Sequence, residues 1–269
     1  SERAVEFINE SSQPFMMYLA YNAVHTPMQA TDEDMAKFEG HPRQKLAAMT
    51  YALDRGVGTV IRGLKDSGKF DNTLIFFLSD NGGATTNQSS NYPLKGFKGN
   101  KFEGGHRVPY FVVWKNGIPA GKPYDGLVSS LDIFATAIDA ASISKTRNRL
   151  DGVSLLPYLK GKKGEPHKVL YWRKMDTRAI RSGDYKLIIT HGVDSVLYNI
   201  RRDPEEMNNL INKEPDLYRK LAKKLAKWEK NECIEPSWLE EGWRKITNRY
   251  HQQLMHNEIK TAQDLYKKK

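Results

Sequence analysis

The sequence predicts an α/β fold, with a mostly parallel sheet flanked by helices and a small C-terminal antiparallel sheet that carries a packed helix. Compact apolar runs of strand length alternate with segments of helical periodicity over the first part of the chain. After Asp151 the pattern changes to short strand candidates separated by Gly and Asp turns. With 269 residues, of which 39% are hydrophobic, the chain can bury a substantial core.

Strands and helices alternate in the first part of the chain. The apolar run at residues 14–21 predicts a buried strand. Apolar residues that recur at threes and fours predict a short helix followed by a long one over residues 31–64. Two further apolar runs predict buried strands at residues 72–78 and 107–114, and an amphipathic helix follows at residues 130–141. This alternation is typical of a parallel sheet.

The second part of the chain has a different texture. Short strands are predicted at residues 168–173, 178–182, 186–190 and 195–199, and an amphipathic helix at residues 215–230. We therefore divide the chain into an α/β segment over residues 1–157, a subdomain with a small antiparallel sheet and a helix over residues 158–236, and a polar C-terminal tail over residues 237–269.

Charge, hydropathy and cysteine content limit the function classes. The 42 basic and 32 acidic residues give a net charge of +10, which favours anionic partners such as nucleic acid, a membrane surface, or sulfated or phosphorylated substrates. No apolar stretch approaches the roughly 20 residues of a membrane span. The single cysteine, Cys233, excludes an intramolecular disulfide and a cysteine zinc site. The lysines lack interleaved aromatic residues, so we expect no nucleic-acid binding.

An Asp-Asn pair directly follows one predicted strand. Asp80 and Asn81 belong to the segment Ser-Asp-Asn-Gly-Gly, at the edge of the sheet where α/β proteins bind ligands. Their hard oxygen donors suit Ca²⁺ or Mg²⁺, although Ca²⁺ takes roughly six to eight oxygens, so further ligands must come from elsewhere. The alternative is an Asn-Gly turn without a ligand.

Two other segments suit an anion. His25 follows the first predicted strand, at the same edge of the sheet, where an imidazole can contact an anion or donate a proton. A single histidine in a loop is also commonly incidental. Residues 95–107 place four cationic side chains and a histidine among glycines, which allow a backbone to approach an anion closely.

The order of these motifs resembles a known family. The segments AxHTPxQ, SDNGG and GxKGxxxEGGxRVP, followed by LDIFATAID, DGVSLLPYL, RAIRSGDYKLI and LYNIRRDPEEMNNL, are similar to the sulfatase family of the alkaline-phosphatase-like superfamily over about residues 14–230. The resemblance implies an alkaline-phosphatase-like fold, with residues 1–157 as the C-terminal half of the sulfatase α/β domain. It also implies that the family's usual metal, calcium, with magnesium as a second candidate, is bound by Asp80 and Asn81.

The same resemblance assigns the anion ligands. It implies that His25 and Lys98 bind the sulfate and assist the leaving group, while Glu103 and Arg107 hold the loop together. Members of the family carry a formylglycine nucleophile in a Cys/Ser-x-Pro-x-Arg motif and an early pair of metal-binding aspartates, and residues 1–269 contain neither. Cys233 is not followed by Pro-x-Arg. We expect the missing N-terminal half of the same protein to supply these groups, and the isolated chain to be inactive.

The resulting hypothesis is a sulfuric ester hydrolase whose substrate is a sulfate ester, with a sulfated glycan as a candidate because of the net positive charge. One alternative is a phosphate or phosphonate ester hydrolase of the same superfamily. Another is a non-catalytic anion-binding module that reuses the fold. Members of the family are mostly exported, so the resemblance implies a location in the periplasm, the exterior or the lysosome. The composition of the chain does not indicate a compartment.

Overall fold

The computed structural model describes residues 1–87, 89–143, 149–233 and 240–267. The chain divides into two compact units, one formed by Ser1–Phe76 with Phe111–Pro123 and the other by Phe77–Tyr110 with Tyr124–Lys269. The boundaries of the three segments that we delimited from the sequence stay a prediction. In the described part of the chain, no helix has the length and apolar character needed to cross a bilayer.

Helices dominate the first unit, and their bounds are α1 Glu2–Glu10, α2 Asp32–Ala36 and α3 Gln44–Asp66. The short helix and the long helix predicted over residues 31–64 are confirmed. Helix α1 was not predicted. It packs on α3 at Gly63, where a side-chain carbon would lie 2.9 Å from Val5 Cγ2, so only glycine permits this approach.

The buried strand predicted at residues 14–21 is wrong. This segment has no regular secondary structure, and the side chains of Met16 and Tyr18 are 65% and 90% exposed. A strand requires a neighbouring strand to complete its backbone hydrogen bonds. Within the described residues, the sheet that follows pairs only one strand with one other, and this apolar run belongs to neither.

Two of the strands predicted in the α/β segment are confirmed with shorter bounds. They are β1 Ile75–Leu78 and β2 Tyr110–Val113, which are neighbours in one sheet. The long connection between them contains the one-turn helix α4 Glu103–His106. The helix predicted at residues 130–141 is confirmed as α5 Asp132–Ala140, and the one-turn helix α6 Leu156–Leu159 follows.

The second unit contains the predicted small sheet, with strands β3 Val169–Lys174, β4 Thr177–Ser182, β5 Tyr185–Thr190 and β6 Asp194–Asn199. Each strand pairs with the next in antiparallel orientation, as predicted. The predicted helix is confirmed as α7 Pro215–Glu232. Its Leu221 and Leu225 are buried against one face of this sheet.

Side chains alternate between two cores across this sheet. In the aligned register, Ile180, Leu187 and Leu197 face the core that includes α7. Their neighbours Ala179, Ile188 and Val196 face a second core on the opposite side. This is the period of two expected of strands that are covered on both faces.

The segment predicted as a polar tail over residues 237–269 differs from that prediction where the structure describes it. It contains α8 Glu241–Met255 and α9 Asp264–Lys267, and Leu254 and Met255 at the end of α8 are buried in the second core. The buried face of α8 also includes the polar residues Thr247 and His251. The sequence of α8 therefore lacks the apolar period by which a packed helix is predicted. Residues 237–239, 268 and 269 lie outside the described residues.

Candidate active site

The Asp-Asn pair lies in a bent segment directly after β1, as the sequence predicted. The side chain of Asp80 is exposed, and that of Asn81 is partly buried. Ser79 Oγ donates a hydrogen bond to Asn81 O at 2.8 Å, which stabilises the turn. The turn therefore presents one carboxylate and one amide oxygen at the end of a strand.

Two backbone hydrogen bonds join this turn to the loop that carries Lys98. The Lys98 N–H donates to Gly83 O at 2.9 Å, and the Gly82 N–H donates to Gly105 O at 3.1 Å. Three of the four predicted site residues, namely the two candidate metal ligands and Lys98, thus lie on loops that are bonded directly to each other.

Glycines allow the close approach of these two loops. A side-chain carbon at Gly82 would lie only 1.8 Å from Gly104 O. Asn91 adds a bridge, because its Oδ1 accepts from Gly83 N at 2.8 Å and its Nδ2 donates to Gly96 O at 3.0 Å. The sequence suggested that the glycines approach an anion, whereas at these positions they let one backbone pack against another.

The loop that carries Lys98 is anchored in the second core of the antiparallel sheet. Phe97 and Phe102 are 2% and 0% exposed and pack in that core. The ring of Phe97 also contacts Tyr250 of α8 edge-on, with ring centroids 5.4 Å apart. These aromatic anchors on both sides of Lys98 limit where its side chain can lie.

Glu103 ties the same loop to the sheet by charge. Its Oε1 lies 2.8 Å from Nζ of Lys186, which is completely buried on β5, and Lys186 Nζ lies 3.0 Å from Glu206 Oε1. Arg107 Nη1 lies 3.6 Å from Glu103 Oε2. These contacts support the implied role of Glu103 and Arg107 in holding the loop together.

Burial and charge act in opposite directions on the two carboxyls. Burial penalises the charged form of Glu103, but the positive charge of Lys186 and the contact with His106 outweigh it, so the pKa of Glu103 lies well below its usual value. Burial raises the pKa of Glu206 to about 7, because the attraction of Lys186 only partly compensates. Lys186 thus offsets negative charge on both carboxyls.

One of the four cations of the predicted anion segment is structural. Lys95 is fully buried, and its Nζ donates to Glu206 O at 3.0 Å and to Asn257 Oδ1 at 2.5 Å. Burial lowers its pKa to about 8. Because its ammonium is used inside the fold, Lys95 is not available to a ligand.

His25 lies in the first unit, in an exposed loop without regular structure. Its Nδ1 lies 2.6 Å from Thr26 O, and a carbonyl only accepts, so Nδ1 carries the proton. The backbone N–H of His25 donates to Asn22 O at 2.9 Å, which closes a turn around the residue.

Asp80 and Asn81 are suitable but incomplete as a cation site. Carboxylate and amide oxygens are donors that Ca²⁺ and Mg²⁺ accept, and the carboxylate of Asp80 is exposed. Within the described ranges, however, no three His, Cys, Asp or Glu side chains are grouped so that they could hold a metal ion. The two side chains fit part of a calcium coordination sphere.

Sequence comparison places these loops in a family. The family model described as Sulfatase matches residues 1–143, which contain all four predicted site residues. The chain belongs to the sulfatase family. A second family model, described as the C-terminal part of N-sulphoglucosamine sulphohydrolase, matches residues 98–231 and thus includes the antiparallel sheet of this sulfatase chain.

Individual sulfatases show the same relationship. The chain is 44% identical over 167 residues to an uncharacterized sulfatase, YdeN, of Escherichia coli K12, a match that covers 60% of this chain and 30% of that protein. It is 32% identical over 193 residues to N-acetylgalactosamine-6-sulfatase of Canis lupus familiaris, covering 69% of this chain and 36% of that protein. The chain thus spans about a third of the length of these relatives.

A solved structure confirms the fold. The crystal structure of Ps i-CgsB in complex with k-i-k-neocarrahexaose superimposes with a TM-score of 0.81 at 36% identity, over 93% of this chain and 58% of that one. The α/β architecture of the alkaline-phosphatase-like fold, with its small antiparallel sheet and packed helix, is therefore confirmed.

The sequence alone missed several residues around Lys98. Lys174, at the end of β3, has its Nζ 3.1 Å from where a side-chain carbon of Gly99 would lie. No motif marks it, because it reaches this loop from a strand 76 positions away in the sequence. Lys186 and Glu206 were missed for the same reason, since only the folded sheet brings them to Glu103.

Proposed function

We propose that this chain is the part of a sulfuric ester hydrolase that binds the sulfate group and part of the metal ion. Membership of the sulfatase family supports this proposal. The observation that carries it is the 2.9 Å hydrogen bond from Lys98 N to Gly83 O, which holds the candidate sulfate loop against the candidate metal turn. The net charge of +10 favours an anionic substrate, and we take it to be a sulfated glycan.

The proposed roles of Lys98 and His25 follow from their chemistry. The Lys98 ammonium offsets negative charge on the sulfate and on the bridging oxygen as the sulfur–oxygen bond breaks. Either Lys98 or a protonated His25 can give a proton to the departing alkoxide. The fixed Nδ1 proton of His25 leaves Nε2 as the atom that exchanges a proton.

The proposed metal role belongs to Asp80 and Asn81. Their two oxygens suit calcium, with magnesium as the second candidate, and a bound cation would supply positive charge for the sulfate oxygens. Calcium takes roughly six to eight oxygens, so the remaining ligands belong to other parts of the complete protein and to the substrate.

The nucleophile is proposed to come from the N-terminal half of the same protein, as a formylglycine. Cys233, which follows α7, lacks the Pro-x-Arg context of that modification. The first unit exposes apolar side chains at Met16, Tyr18 and Phe111, the last of them 57% exposed, and such surface is normally covered. We propose that the N-terminal half covers it, that the isolated chain is inactive, and that the complete enzyme is exported.

The test compares the full-length protein with the isolated chain. Both are assayed for release of para-nitrophenol from para-nitrophenyl sulfate and para-nitrophenyl phosphate, with calcium present. We expect the full-length protein to hydrolyse the sulfate ester with the higher kcat/KM and the isolated chain to hydrolyse neither.

Each other outcome replaces part of the proposal. A higher kcat/KM for the phosphate ester makes the protein a phosphate ester hydrolase of the same superfamily. No turnover of either ester, or of sulfated oligosaccharides, by the full-length protein leaves only a non-catalytic anion-binding module. Turnover by the isolated chain overturns the proposed dependence on the N-terminal half.

A further inference from the structure

Two lysines beside the proposed sulfate loop lack a counter-ion. Lys174 is exposed at the end of β3, and Lys101 is partly buried three residues beyond Lys98. Among the residues that the structure describes, neither ammonium lies within 4.0 Å of a carboxylate. The nearest acidic residue in sequence, Asp176, is instead bonded to Arg244 and Asn248.

Lys174 lies against the short loop that contains Lys101. A side-chain carbon at Gly99, the residue after Lys98, would lie 3.1 Å from Lys174 Nζ. Lys101 is two residues further along this loop, between the buried anchors Phe97 and Phe102 on either side. Lys174, which belongs to the antiparallel sheet, therefore lies beside the loop that carries Lys98, the residue proposed to bind the sulfate.

These charges act on each other. Burial, and then the positive charges of Lys174 and Lys186, lower the pKa of Lys101 to about 8. Burial, and then the charge of Lys98, lower the pKa of Lys174. Lys186 is already balanced by Glu103, so the unbalanced positive charges are those of Lys101 and Lys174.

The charges of Lys101 and Lys174 also act on a buried histidine. His251 of α8 is buried, its Nδ1 donates to Thr247 O at 2.8 Å, and burial together with Lys101 and Lys174 lowers its pKa to about 4. This imidazole is therefore neutral. Two ammoniums that repel each other, one of them partly buried, are costly, and a bound anion relieves that cost.

We propose that Lys101 and Lys174 form a second oxyanion subsite next to Lys98, which binds an anionic group of the substrate other than the sulfate that is cleaved. This inference rests on the proposed function and specifies its substrate class. The substrate is a saccharide that carries a second sulfate or a carboxylate close to the scissile sulfate. A charge-assisted hydrogen bond to such a group contributes about tenfold in affinity.

The kinetic test uses the full-length enzyme and competitive inhibition of para-nitrophenyl sulfate hydrolysis. The inhibitors are galactose monosulfate, galactose disulfate, and a monosulfated chondroitin disaccharide whose second anion is a uronate carboxylate. We expect Lys174→Ala to reduce the preference for a dianionic over a monoanionic inhibitor by about tenfold. The matched control is Lys163→Ala, which removes an exposed lysine remote in sequence from these loops and keeps the wild-type preference.

The two dianionic inhibitors distinguish the source of the second anion. A loss of preference for galactose disulfate identifies a second sulfate, and a loss for the chondroitin disaccharide identifies a carboxylate. The proposal is overturned if Lys174→Ala weakens the monosulfate and both dianionic inhibitors equally, or if it behaves as Lys163→Ala does.

A second readout does not depend on turnover. Lysine acetylation by acetic anhydride is quantified by mass spectrometry in the full-length Lys98→Ala variant, with and without inorganic sulfate. We expect sulfate to protect Lys101 and Lys174 but not Lys163. Protection in this variant, together with a wild-type full-length protein that hydrolyses no sulfate ester, supports the subsite and contradicts the proposed function. Equal labelling with and without sulfate overturns the subsite.

Discussion

The ammonium of Lys186 lies 2.8 Å from Oε1 of Glu103, and both side chains are buried. Lys186 belongs to β5 of the antiparallel sheet, and Glu103 belongs to the loop that begins with the proposed sulfate ligand Lys98. This ion pair, together with Phe97 and Phe102, attaches the loop to the sheet. The C-terminal sheet is therefore part of the candidate active site's support.

Removal of the Lys186 ammonium is expected to destabilise the protein strongly. The variant Lys186→Met leaves the Glu103 and Glu206 carboxyls buried without the cation that lies between them. Breaking a buried ion pair on one side costs about 3–5 kcal/mol. The measurement is the urea midpoint of unfolding of the full-length protein at neutral pH.

The control for this change is Lys115→Met, because Lys115 forms an exposed ion pair with Asp71 at 2.6 Å. Exposed pairs contribute little to stability. Equal urea midpoints for Lys186→Met and Lys115→Met would show that the buried pair does not hold the loop.

A methyl group at Gly82 is expected to separate the two loops of the candidate site. The new carbon of Gly82→Ala would lie 1.8 Å from Gly104 O, a backbone atom that cannot rotate away. The hydrogen bonds from Gly82 N and Lys98 N then lengthen. We expect kcat/KM for a sulfate ester to fall at least about tenfold, because small displacements of positioned groups cost that much.

Gly242→Ala serves as the matched change. Gly242 lies in α8 and has no atom within 4 Å of the added carbon, so this variant is expected to keep its activity and to gain helix stability. If Gly82→Ala is as active as Gly242→Ala, the contact between the loops has no functional consequence.

Local sequence patterns correctly predicted those helices and strands that their own apolar period and flanking turn residues define. The hairpins from β3 to β6 and helices α3, α5 and α7 followed from period and turn residues. The buried strand predicted at residues 14–21 was wrong. Its apolar side chains are typical of a buried strand, but the described residues include no neighbouring strand that pairs with it. The sequence did not predict helix α8, because the polar residues His251 and Thr247 occupy its buried face.

Some residues of the candidate site could be predicted from local motifs, and others could not. Asp80, Asn81 and Lys98 lie in short motifs with fixed spacing, and the hydrogen bond from Lys98 N to Gly83 O joins the two loops that carry them. Lys174 and Lys186 have no such motif, because their position beside the loop depends on how the sheet folds onto it. Long-range contacts of this kind leave no local signal in a single sequence.

Acid is expected to destabilise the protein through His106. Its ring lies 4.4 Å from the ring of Trp172, and burial, followed by the charge of Lys186, lowers its pKa from 6.5 to about 4. The unfolded chain therefore binds a proton between pH 6.5 and 4 that the folded chain does not. The contribution of the neutral His106 ring to the free energy of unfolding is fully present above the pKa of the unfolded chain. Between the two pKa values it falls by about 1.4 kcal/mol per pH unit as the pH is lowered.

The measurement is the unfolding midpoint of wild type and of His106→Gln at several pH values across this window. We expect the variant to lose less stability than wild type as the pH falls. His191→Gln, which changes an exposed histidine, is expected to keep the wild-type slope. A wild-type slope in His106→Gln would mean that this histidine is not held neutral.

Calcium binding is expected to depend on Asp80. The variant Asp80→Asn keeps an oxygen but removes the negative charge, so we expect calcium affinity of the full-length protein, measured by titration calorimetry, to fall at least about tenfold. Asp151→Asn, which changes an exposed aspartate elsewhere, should bind calcium as wild type does. Equal affinities in the two variants would remove Asp80 from the metal site.

The most direct test of the proposed sulfatase function is kcat/KM of the full-length Lys98→Ala variant with para-nitrophenyl sulfate. An ammonium that stabilises the departing oxygen is typically worth a factor of about 100–1,000, so a loss of this size is predicted, while Lys115→Ala retains the wild-type value. Wild-type turnover by Lys98→Ala would contradict the assignment of this loop to the sulfate site.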